Sequence, residues 1–76
     1  MDFATVSFED AAQAVKARRI KARHVARCIG DYRYTQGTSR RFVASLSAVM
    51  SPTWMAELRQ ELIKRDCVEA IPASLR

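Results

Sequence analysis

The sequence predicts an all-α fold, a compact bundle of four short helices forming a single domain over residues 1–76, and three observations carry that expectation. Two Gly and two Pro in 76 residues leave few natural break points. Apolar residues recur at three- and four-residue spacing rather than in strict alternation. Ser, Thr and Pro stand where helix starts would need them.

The first helix is expected over about 8–18. Thr5 and Ser7 are candidate N-caps, and Ser7 followed three residues later by Asp10 resembles a capping box with an acid where the helix dipole favours it. Phe8, Ala11, Ala12 and Val15 share one face, mostly Ala and so suited to close packing. A single rod continuing from Phe8 to Tyr32 fails at about 100° per residue, because Arg18 then enters the apolar side and Ile20 falls on the charged one. A turn at residues 18–20 is therefore expected.

The second helix, about 20–32, would bury Val25, Cys28, Ile29 and Tyr32 with Ala22 and Ala26 beside them, and project Arg23 and Arg27 outward. "GDYRYTQGTS" contains both glycines and reads as a loop, with a short hairpin at 32–42 around Gln36-Gly37 as the minority alternative. Thr38 or Ser39 would then cap a third helix over about 39–50, where Phe42, Val43, Leu46, Val49 and Met50 make the clearest apolar stripe in the chain. In "SPTW", Ser51 is a candidate N-cap and Pro52 occupies the first helical position, where its missing N–H costs nothing. The fourth helix, about 52–66, would bury Trp54, Met55, Leu58, Leu62 and Ile63 and pack closely on the third. The tail "VEAIPASLR" is expected to lie extended.

Charge is unevenly spread. Residues 1–15 carry a net −3, residues 16–41 carry nine bases against the single acid Asp31 for +8, and residues 42–76 balance to 0 within the total of +5. Concentration of positive charge in one third of the chain points to an anionic partner. No apolar run approaches the roughly 18 residues of a membrane span, and the basic residues lack large apolar companions for peripheral attachment. A chain this short sits near the lower limit for an independent core, so a homodimer or a bound partner is expected to contribute to its stability.

Cys28 and Cys67, the only cysteines, lie too far apart for a zinc-type spacing, so no metal or other cofactor is expected. "MDFATVSFEDAA" has neither a charged n-region nor an apolar h-region, which favours reduced thiols in the cytoplasm. The sole histidine, His24, lacks a sequence-local carboxylate to orient it, and its four-residue spacing from Cys28 is a weak basis for a nucleophilic pair. With no Gly-rich phosphate loop either, the expectation is a protein that is not an enzyme.

Binding of DNA, or RNA, by a small regulator or accessory factor is the leading expectation, since Arg and Lys attract phosphate irrespective of sequence and Arg also reads guanine edges. The candidate contacts are Arg19, Lys21, Arg23, Arg27, Arg33, Tyr34, Ser39, Arg40 and Arg41. Tyr34, like Tyr32, offers a ring for base stacking, while Ser39, Arg40 and Arg41 would stand at a helix N-terminus able to anchor phosphate. "HVARCIG" resembles the first half of a helix-turn-helix, with Val25, Ala26 and Ile29 apolar and Gly30 at the turn; Asp31, Gln36, Gly37 and Ser39 depart from its second half. The competing expectation is an adaptor or inhibitor, of the kind phages and plasmids encode, that docks its basic patch on an acidic protein surface.

Overall fold

The computed structural model describes residues 7–32 and 36–75, and for Tyr32, Gln36 and Gly37 the backbone alone. Four α-helices are formed among them: α1 (Phe8–Ala17), α2 (Ala22–Tyr32), α3 (Gln36–Val49) and α4 (Pro52–Lys64), followed by 3-10 turns at Val68–Ala70 and Ala73–Leu75.

Local chemistry fixes several boundaries. The Ser7 hydroxyl accepts from the Asp10 N–H at 3.1 Å, and the Ser51 hydroxyl accepts from the Trp54 N–H at 3.2 Å. Each cap satisfies an N–H that lacks an intrahelical partner. At their other ends α1 and α4 close in the same way. The Ile20 N–H reaches back to the Val15 carbonyl and the Arg19 N–H to that of Lys16, both at 3.1 Å. In α4 the Cys67 N–H reaches the Leu62 carbonyl at 2.8 Å and the Asp66 N–H that of Ile63 at 3.1 Å. Both are Schellman closures, which need a left-handed residue after the cap. Arg19 (φ 53°) and Asp66 (φ 59°) supply it although neither is glycine.

The expected break at 18–20 is thus a Schellman turn, and α1 and α2 are separate helices. The third helix begins at Gln36 rather than 39, which removes the loop over 36–38 and the hairpin alternative. Gly30 lies within α2 and Gly37 within α3, so both continue a helix instead of turning the chain. At Gly30 the Cys67 sulfur is 3.8 Å from where a Cβ would sit.

α1 packs chiefly on α3 and α2 chiefly on α4, while α3 and α4 touch each other sparingly. That replaces the expected α3–α4 pair. The core unites Ala12 and Val15 of α1, Ala22, Val25, Ala26 and Ile29 of α2, Val43 and Leu46 of α3, and Leu58 and Leu62 of α4. Small Ala side chains on α1 and α2 let these helices approach their partners closely, and the larger Val and Leu of α3 and α4 fill the space between. The tail is not extended: the turn at Val68–Ala70 packs on α3 and α4 and buries Ala70 and Ile71. A radius of gyration of 11.2 Å results, close to the ~11 Å of a compact chain of this length.

Two apolar expectations reverse. Cys28 is exposed, because it lies roughly 110° around α2 from the centre of the Ala22–Val25–Ala26–Ile29 stripe. Ile63 is 49% exposed, on the far side of α4 from Leu58 and Leu62. Trp54 and Met55 are half-buried at the edge of the core, as are Phe42, Val49 and Met50.

Candidate functional site

The stretch 16–27 forms the candidate site, spanning the end of α1, the Schellman turn and the first half of α2. Its cations Lys16, Arg18, Arg19, Lys21, Arg23 and Arg27 are all exposed. They face solvent because Val15, Ile20, Ala22, Val25 and Ala26 take the inward positions. Three interactions hold the turn. Two are the backbone bonds of the Schellman closure. The third is donated by the Trp54 indole Nε1–H to the Ile20 carbonyl at 3.1 Å. Arg18, Arg19 and Lys21 are therefore displayed on a backbone fixed at both ends, with Ile20 seated between them against the core.

Along α2 the outward face reads Arg23, His24, Arg27, Cys28 and Asp31. Arg27 meets Asp31 at 3.6 Å, both side chains largely in water. An exposed pair of this kind contributes about 0.5 kcal/mol or less. Among the described residues it is the one ion pair in this stretch; no acid lies within 4.0 Å of Lys16, Arg18, Arg19, Lys21 or Arg23.

A cleft of about 650 Å³ opens beside the turn. Lys16, Arg19, Lys21 and Arg23, from the end of α1, the turn and α2, line it together with Glu57, Gln60 and Glu61 of α4. Ile20, Met50 and Trp54 add apolar surface to it.

The structure thus gathers Arg19, Lys21 and Arg23 around one cleft and sets Arg27 one turn further along α2. Arg40 and Arg41 are exposed on α3 but do not line the cleft, and they sit in the body of the helix rather than at its N-terminus. Ser39 is corrected: at 4% exposure it belongs to the interior, because α3 starts three residues earlier and turns it inward. Arg33 and Tyr34 lie outside the described residues, as does the side chain of Tyr32. Sequence reasoning missed the α4 side of the cleft. Its signal was present in Glu57 and Glu61, four apart and so on one face of a helix that begins with Trp54 in its first turn.

No family model, curated protein or solved structure matches the chain. Among the described residues, no group of three or more His, Cys, Asp or Glu side chains is placed to hold a metal ion, and no helix is long and apolar enough to cross a membrane.

Proposed function

We propose that this protein binds nucleic acid, DNA in the first instance, as a small cytoplasmic regulator or accessory factor without catalytic activity of its own. The observation that supports this reading is the display of Lys16, Arg18, Arg19, Lys21, Arg23 and Arg27 on one continuous, firmly held segment where, among the described residues, Asp31 alone neutralises any of them. Cations already turned to solvent and not engaged by carboxylates meet phosphate without first breaking internal pairs. Helix α2 has 11 residues, about 16 Å of rod of a diameter that a DNA major groove accepts. Arg23 and Arg27 project from one side of it, a turn apart. Lys21 and Arg19 then fall on the flanking backbone, and Arg40 and Arg41 on α3 form a second basic point.

Fluorescence anisotropy with a labelled mixed-sequence duplex at two salt concentrations tests the reading. Binding at low salt that weakens steeply as salt rises is the expected result, because each neutralised phosphate releases counterions. Absence of binding at low salt overturns it and leaves the acidic surface of a partner protein as the anion to seek.

A further inference from the structure

The cleft beside the Schellman turn has walls of opposite charge, and this goes beyond a phosphate-binding face. Lys16, Arg19, Lys21 and Arg23 form the cationic wall. Glu57 and Glu61, one turn apart on α4, form the anionic wall. Among the described residues no ion pair closes the gap between them: Glu61 turns to Lys64 of its own helix at 3.5 Å, and Glu57 has no cation within 4.0 Å. Ile20 and Trp54 add apolar surface to the cleft.

We infer that this cleft binds a short segment of a partner protein in which an acidic and a basic side chain flank an apolar one. Its carboxylate meets the Arg19–Arg23 side, its cation meets Glu57 and Glu61, and the apolar side chain covers Ile20 and the half-buried Trp54 ring. Charge complementarity selects this occupant. A nucleic-acid strand lying inside the cleft, unlike a duplex set against the outward face of α2, or a uniformly acidic peptide would bring its negative charge against Glu57 and Glu61, and a uniformly basic peptide would meet four cations. Like charges brought together in this way cost affinity rather than adding to it. The volume, about 650 Å³, lies within the range of sites that take a small ligand or a few residues of a chain.

Trp54 is the only tryptophan in the chain, so its emission reports occupancy directly. The probe is a capped Glu-Leu-Lys tripeptide, with capped Glu-Leu-Glu and Lys-Leu-Lys as controls, titrated against the 76-residue chain. A saturable change in Trp54 emission with the mixed-sign peptide is expected, and binding of each control about tenfold weaker or less. Combining Glu57→Lys with Glu61→Lys should reverse the preference toward Glu-Leu-Glu with the helical circular dichroism retained. Should that variant misfold, Glu57→Gln with Glu61→Gln should lower mixed-sign binding without the reversal. A mixed-sign peptide that gives no saturable change, or all three peptides binding alike, overturns the inference. Arg27 lies outside the cleft, so Arg27→Ala should weaken duplex binding and leave peptide binding intact; each reading therefore stands or falls on its own.

Discussion

The Trp54 indole Nε1–H donates to the backbone carbonyl of Ile20 at 3.1 Å, across 34 positions of sequence. One side chain at the start of α4 thereby holds the turn that separates α1 from α2 and sets the orientation of the cations on either side of it. Trp54→Phe keeps most of the ring and removes the donor. The expected loss is about 1 kcal/mol, the net worth of one hydrogen bond, seen as a lower urea midpoint with an unchanged slope.

Arg19 and Asp66 occupy the left-handed positions of two Schellman closures, where a Cβ crowds the following carbonyl. Arg19→Gly should raise stability by about 0.5–1 kcal/mol, part of the relief being offset by the greater freedom of glycine in the unfolded chain. Asp66→Gly should gain less, since Asp tolerates this region better than Arg. Chemical denaturation of the two variants side by side checks both the sign and the order.

Gly30 is the converse case. It has ordinary helical geometry inside α2, and the nearest atom a new Cβ would meet is the Cys67 sulfur at 3.8 Å, a normal contact distance. Gly30→Ala should therefore stabilise the protein by about 0.5–1 kcal/mol, a rise in Tm of several degrees by calorimetry. A decrease would mean that the Cys67 turn packs more tightly on α2 than that distance allows.

Ser51 caps α4, whose Leu58 and Leu62 are fully buried. Ser51→Ala should cost about 1 kcal/mol, and adding Ser7→Ala at α1 a similar amount. Because the two caps share no partner, their effects should add, which equilibrium unfolding of the single and double variants measures.

For the nucleic-acid reading, Arg23→Ala with Arg27→Ala should weaken duplex binding and reduce the slope of log affinity against log salt by up to about 2, near 0.9 for each phosphate that is no longer neutralised. Arg40→Ala with Arg41→Ala should also weaken binding while the fold is kept. Unchanged affinity in that second pair would remove α3 from the interface and leave the segment 16–27 as the whole of it.

The sequence by itself determined the parts of this protein that depend on neighbours a few residues away. Ser7, Ser51 and Pro52 mark helix starts because capping is a local hydrogen-bonding problem. The shift in apolar phase near Arg18 and Ile20 marks the break between α1 and α2. The stripes through Val25, Ile29, Val43, Leu46, Leu58 and Leu62 are legible for the same reason, because helical periodicity shows which face is buried. The basic run of the candidate site could be read just as directly. Periodicity does not say against what a face is buried, since hydrophobic burial is non-directional and any complementary stripe will serve. Tertiary structure alone decided that α1 pairs with α3 and α2 with α4, and that the tail turns back to bury Ile71; the exposure of Cys28 and Ile63 follows from their angular positions on α2 and α4. Tertiary structure also decided that the acids of α4 face the cations of the turn, because two segments more than 30 residues apart form one cleft only once their helices have packed.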